Sequence, residues 1–149
     1  MCRRVVPFLL AILLVVGCRT PDGPRFPLPA QDLSASIPDG SVRLVFFNTS
    51  SHALYWESGH IRIQLDGNQI PTIWLDEYVQ VYVQPGEHQL LLEHLDVFMF
   101  KDRYTLVLED PEVFLEVYNG VTSTKKRQVE ELPPDFHSRF KPGRDPNDW

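Results

Sequence analysis

Val15-Val16-Gly17-Cys18 closes an apolar stretch near the N-terminus and has the residue types of a lipobox, a lipid-modification signal. The chemistry it invites is thioether formation. The Cys18 thiol takes a diacylglycerol group, a peptidase cuts after the small residue Gly17, and the freed amine of Cys18 can take a third chain. Each buried CH₂ contributes about 0.8 kcal/mol, so two or three chains anchor firmly where one would not. Upstream, Arg3 and Arg4 form a positive n-region, and Val5 to Val16 form an apolar h-region interrupted by Pro7. At ~1.5 Å per residue that stretch falls short of the ~30 Å hydrocarbon core, so it reads as a cleaved leader and not as a spanning helix. Arg19, not Asp, follows the cysteine. By the usual sorting rule of diderm bacteria this directs the chain to the outer membrane, facing the periplasm.

No other motif offers comparable chemistry. The two cysteines are Cys2 and Cys18. Cleavage discards the first and lipidation occupies the second, which leaves no thiol for a disulfide, a redox step, a nucleophile or a zinc ligand. The five histidines are His52, His60, His88, His94 and His137, and none has His-Glu-x-x-His spacing. His88 and His94 have the even separation that places both on one strand face with Leu90 and Leu92. A local hydrogen-bonding role is expected for His88, and neither a metal nor a cofactor is expected. Ser58-Gly59-His60 lacks the context of a nucleophile elbow and reads as a turn into a strand. Asp76-Glu77 and Glu109-Asp110 could serve glycoside hydrolysis if held a fixed distance apart. Adjacent residues point in different directions, so solvated turns are expected there. Asn48-Thr49-Ser50 matches a glycosylation sequon, which in a bacterial chain reads as coincidence.

Tyr55, Trp56 and Trp74 lie near turns among polar neighbours. Aromatics on a rigid sheet can stack on sugars or grip a protein partner. They can equally cap the ends of a core, because a small domain without disulfides needs every large apolar side chain. The formal net charge is −6, and loss of Arg3 and Arg4 with the leader leaves about −8. Such an acidic chain lacks the clustered cations that phosphate binding requires, so no nucleic-acid partner is expected. Lys125-Lys126-Arg127 is the one basic cluster, and it reads as a solvated turn.

The elements that would position these residues are strands. From Arg19 to Gly40, Pro21, Pro24, Pro27, Pro29 and Pro38 preclude a regular helix or central strand. This stretch reads as a spacer, although Phe26, Leu28, Leu33 and Ile37 could pack on the domain. From Ser41 the period is two: Val42, Leu44 and Phe46; Ile61, Ile63 and Leu65; Val79, Val81 and Val83; Leu106 and Leu108; Val113, Leu115 and Val117. Asp66-Gly67-Asn68 is a tight hairpin signal. Pro85-Gly86 favours a type II turn, and Asp110-Pro111 and Asn119-Gly120 mark further breaks. Phe98-Met99-Phe100 reads as core or a crossover strand. Pro133-Pro134 ends the pattern, with Phe136 and Phe140 placed to dock from one short helical turn.

The order Ile-Gln-Leu-Asp-Gly-Asn-Gln-Ile, Tyr-Val-Gln-Val-Tyr-Val-Gln-Pro-Gly-Glu-His-Gln-Leu, then Tyr-Thr-Leu-Val-Leu resembles a family of bacterial lipoprotein domains of unknown function, and more distantly the PEGA domains. Asp66, Gly67, Pro85, Gly86 and His88 carry the resemblance, which covers roughly residues 42–118. It implies a small β-sandwich and brings no catalytic residues. The expectation is an all-β chain: a lipoprotein signal peptide at 1–17, the lipidated Cys18 and a Pro-rich linker at 18–40, a small antiparallel β-sandwich (immunoglobulin- or PEGA-like) at 41–140, and a flexible tail at 141–149. The protein is expected to bind or support and not to catalyse. Its expected partners are the membrane through Cys18 and an envelope protein or peptidoglycan. A carbohydrate-contacting module and an uncharacterised hydrolase are the alternatives.

Overall fold

A computed structural model describes residues 26–51, 59–95 and 99–143. Two open sheets face each other. One contains β8 (Thr124–Val129), β7 (Glu112–Asn119), β1 (Val42–Asn48), β4 (Glu77–Val83) and β9 (Lys141–Pro142), in that order. The other contains β3 (Asn68–Ile73), β2 (Ile61–Leu65), β5 (Gly86–Leu95) and β6 (Met99–Leu108). One helical turn, α1, spans Phe136–Arg139. The fold is the expected β-sandwich. Its pairings are antiparallel except β1 with β7 and β4 with β9, which run parallel.

The period-two residues fill the space between the sheets. Val42, Leu44 and Phe46 of β1 meet Ile61, Ile63 and Leu65 of β2, Leu90 and Leu92 of β5, and Val113, Leu115 and Val117 of β7. Hydrophobic burial of this kind is worth roughly 25 cal/mol per Å² of apolar surface and is the main force closing the sandwich.

β1 is buried along its whole length, on both faces. Its outward residues Val45 and Phe47 join Tyr78, Phe136 and Phe140 in a second apolar cluster on the outer face of the five-stranded sheet. Phe136 and Phe140 stack on each other at 4.9 Å, and each meets the Phe47 ring edge-on, at 5.6 and 5.3 Å. The docking expected of Phe136 and Phe140 is therefore present. The segment continues into β9, so the start of the expected tail pairs with β4 and is not loose.

Of the stretch expected as spacer, Phe26–Gly40 lies on the domain as a strap. The Phe26 N–H donates to Gln69 O at 2.8 Å on the edge strand β3. Gln31 exchanges hydrogen bonds with the Gln80 backbone, and the Tyr78 hydroxyl donates to Gln31 O at 2.8 Å. The buried Arg43 guanidinium donates to Leu33 O and Ala35 O and pairs with Glu112 at 2.7 Å. Proline made regular structure impossible here, but the carbonyls remained free to accept from side chains of the sheet.

The turns divide into two kinds. Asp66 and Gly67 both have positive φ, +51° and +77°, and close a two-residue hairpin between Leu65 and Asn68. That is the primed geometry that matches strand twist. Pro85-Gly86, expected as a type II turn between two alternating runs, is instead a bend that carries the chain from β4 in one sheet to β5 in the other. Asp110-Pro111 makes the return crossing from β6 to β7. Lys125-Lys126-Arg127, expected in a turn, lies on β8. Its charges suit an edge strand, and Arg127 pairs with Glu116 of β7 at 2.5 Å. Met99 and Phe100 begin β6, with Met99 half exposed.

Gly86 has φ +130°, where L side chains are strained whatever the space around them. Gly86→Val is therefore expected to destabilise the fold by about 1–3 kcal/mol, more than a Gly→Ala exchange at an unstrained site. Urea denaturation of the two variants checks this. A Gly86→Val protein as stable as its parent would contradict the strained bend.

Candidate functional site

At the end of the sandwich where β2 turns into β3, the hairpin and the sheet-to-sheet bend are tied together. The Asp66 backbone N–H donates to Gln89 O, and the Gln89 N–H donates back to Asp66 Oδ1 at 2.8 Å. His88 Nδ1 lies 2.6 Å from Asp66 Oδ2, and its Nε2 lies 2.7 Å from Gln84 O. A carbonyl and an ionised carboxylate can only accept, so both ring nitrogens must donate, which requires the imidazolium. Burial opposes that charge, but the hydrogen bonds to Asp66 and Gln84 and the Asp66 charge outweigh it and raise the His88 pKa. Burial likewise works against the Asp66 carboxylate, and the donors His88 and Gln89 with the His88 charge outweigh it and lower its pKa. The motif residues Asp66, Gly86 and His88 thus form a structural corner.

The corner gives a signed pH dependence. A raised His88 pKa contributes stability that is complete below the ordinary histidine value and is lost as pH rises through the raised value. A lowered Asp66 pKa contributes stability that is complete above the ordinary carboxylate value and is lost as pH falls through the lowered value. The corner is strongest between the two, from about pH 4 to about pH 6.5. Asp66 is partly exposed, so the effect is modest and salt-sensitive. His88→Gln is expected to remove the alkaline loss in urea midpoints taken from about pH 5 to about pH 8. An unchanged slope would separate the corner from the titration.

The opposite end gathers most of the remaining candidates. The Asn48 side-chain amide donates to Gly59 O at 2.7 Å and to Ile73 O at 3.2 Å, and its oxygen accepts from the Ser50 N–H. Asn48 is fully buried, so this sequon does not present its amide for modification. Trp74 is half-buried, its backbone N–H donates to Glu77 Oε2 at 2.9 Å, and its ring lies 4.9 Å from that of His60. Burial first, and then the charges of Arg62 and His94, lower the His60 pKa and keep the ring neutral. A neutral imidazole tilted at 42° against an indole makes an amphipathic platform.

His94, beside this platform, holds the two sheets together. Its Nδ1 lies 2.7 Å from Thr124 Oγ1, and its ring stacks on Phe100 at 5.0 Å. The Thr124 N–H donates to Asp102 and its carbonyl accepts from the Tyr104 hydroxyl, each at 2.6 Å. Thr124 has no exposed surface, so the His–Thr pair is a strut between sheets. The even spacing of His88 and His94 does put both on the inner face of β5, with Leu90 and Leu92 between them. They stand at opposite ends, about 20 Å apart along the strand, too far to share a ligand. Among the described residues, no group of three His, Cys, Asp or Glu could hold a metal ion.

The acidic pairs diverge. Asp76 pairs with Arg139 at 2.8 Å, whereas Glu77 turns inward to the Trp74 N–H. Glu109 and Asp110 are exposed at the β6–β7 crossing. Of the sequence-predicted residues, Trp74 is placed at the platform, while Tyr55, Trp56 and Cys18 lie outside the described residues. Tyr55 and Trp56 belong to the segment that joins Ser51 to Gly59, and both of those residues are at the platform end. His60 and Asn48 were not expected here. Asn48 followed by Ser50 carried a readable signal, since Asn favours turns that bond its own backbone two residues on.

No protein-family model matches the chain, and a search of curated proteins finds no significant match.

Proposed function

We propose that this chain is a lipid-anchored lipoprotein of the bacterial cell envelope, held by Cys18, whose β-sandwich is a non-catalytic binding or structural module. One observation supports the binding role above all: most of the ionisable groups that offered chemistry are engaged as braces, and the Glu109-Asp110 pair lies exposed on a crossing and not in a cleft. His88 holds Asp66 and Gln84, His94 holds Thr124, Asp76 holds Arg139, and Glu77 holds the Trp74 backbone. The platform of Trp74 and His60 is the surface best suited to a partner, and the proposed contacts are Trp74 with Tyr55 and Trp56 from the adjoining segment. The half-buried indole also favours a second reading, in which the partner is the carbohydrate of peptidoglycan, because sugars stack on such faces.

Removal of an anchoring aromatic pair from an interface typically costs 2 kcal/mol or more, about thirtyfold in affinity. The Tyr55→Ala, Trp56→Ala double variant is therefore expected to lose site-specific crosslinking in the native envelope by about that factor, with a much smaller change in thermal stability. Adduct masses identify the partner. Saturable depletion of the protein by purified sacculi, lost in Trp74→Ala, would select the carbohydrate reading. Unchanged crosslinking per folded molecule in an unfolding-prone variant would make the two rings core and move the binding face elsewhere.

A further inference from the structure

We infer that the docked strap holds the domain close to the bilayer with the Asp66–Gly67 hairpin end toward the lipid. This rests on lipidation at Cys18 as proposed above. With residues 19–40 free, the span from Cys18 to Ser41 would reach at most about 83 Å at full extension. The strap is bound to the sheets from Phe26 onward, through Gln69, Gln80, Tyr78 and Arg43. From Cys18 to Phe26 the chain reaches at most about 29 Å. Docking thus removes nearly two thirds of the possible reach.

The attachment point also favours an orientation, because the end that carries the tether spends more of its time near the lipid than the end about 26 Å away. Phe26 is bonded to Gln69, the second residue of β3, beside the hairpin. The pairs Val42 with Val83, Arg43 with Glu112, and Gly86 with Leu108 place the starts of β1, β5 and β7 at that same end. β7 then runs away from it for about 26 Å to the turn at Val121, on the far edge of the other sheet. The end nearest the lipid is acidic, with Asp39, Asp66, Glu87, Glu109 and Asp110 all exposed. It faces the headgroups without inserting, and an anionic leaflet repels it over about one Debye length, roughly 8 Å. The neighbour of this end is therefore the lipid surface, and the platform of Trp74 and His60 is the end presented away from it.

Energy transfer tests the arrangement on the full lipidated chain. Glu87→Cys or Val121→Cys supplies a single thiol for a donor dye, and the protein is placed in phosphatidylcholine vesicles containing acceptor-labelled headgroups. Transfer is expected to be at least about twofold stronger from position 87 than from position 121, given the strand-length separation. A twenty-residue Gly-Ser insertion after Pro21 leaves the domain untouched and is expected to abolish the difference. Equal transfer from the two sites in the parent, or a difference that survives the insertion, would overturn the inference. Intact mass is read on each sample before labelling. Absence of diacylglycerol sinks the anchor itself, whereas lipidated protein with equal transfer sinks the orientation alone.

Discussion

Cys18→Ser is expected to abolish lipidation entirely, leaving either a full-length precursor or a mis-sorted soluble form. The serine hydroxyl cannot form the thioether, and without that lipid the peptidase has no substrate. The energy at stake is large. At about 0.8 kcal/mol per buried CH₂, two ordinary acyl chains contribute on the order of 20 kcal/mol of membrane affinity. No contact made by an acidic domain replaces that. The proposed lipid-facing end, with Asp66, Glu87 and Asp110 exposed, would weaken residual binding to an anionic surface. Fractionation with metabolic lipid labelling reads the result. A Cys18→Ser protein that still incorporates lipid and sediments with membranes would refute the lipobox.

The second large effect is on the fold. Phe47→Ala is expected to cost about 3–5 kcal/mol, as large as Phe46→Ala in the same strand. Phe46 points between the sheets and Phe47 away from them, yet both are fully buried. Phe47 is enclosed by Phe136, Phe140 and Tyr78, and truncation leaves a void that the short α1 turn and the strap must collapse to fill. Against a typical total stability of about 5–15 kcal/mol, either loss leaves a marginal protein. Surface substitutions stay within about 0.5 kcal/mol. A Phe47→Ala cost in that range, measured by urea denaturation, would mean that the outer cover does not form.

The contrast between these two phenylalanines shows what was legible beforehand. Alternation identifies the inner faces of β1, β2, β4, β5, β6 and β7, because side chains on a strand point alternately to the two faces, but not that of β3, whose buried positions do not alternate. The hairpin at Asp66-Gly67 was equally legible, since positive φ at both central residues selects that pair of residue types. The outer cluster was not. Val45 and Phe47 sit at positions that an exposed face would make polar, and only the return of distant segments explains them. The strap was hidden for a related reason. Its prolines announce the absence of helix and strand, but its anchoring depends on carbonyls meeting Arg43 and Gln80, and no local pattern records that. β8 is not legible because charged residues on an edge strand look like a solvated turn. Pro85-Gly86 reads as a break between two strand-like runs, but nothing local shows that the chain changes sheets there.

The candidate site was legible in part. Trp74 was singled out and stands at the platform, but its partner His60 comes from the neighbouring strand, and a single sequence does not give strand pairing. Asp66 and His88 read as residues at turns, and the structure joins them in one corner. Their contact depends on β2 and β5 being neighbours in one sheet, which spacing alone did not reveal.

Intact-mass spectrometry of the protein extracted from native membranes tests the anchor most directly. The expected species begins at Cys18, carries a diacylglycerol thioether, and bears a third acyl chain where the host supplies one. A membrane-bound chain that retains residues 1–17, begins elsewhere, or keeps an unmodified Cys18 would contradict the lipid-anchored module proposed here.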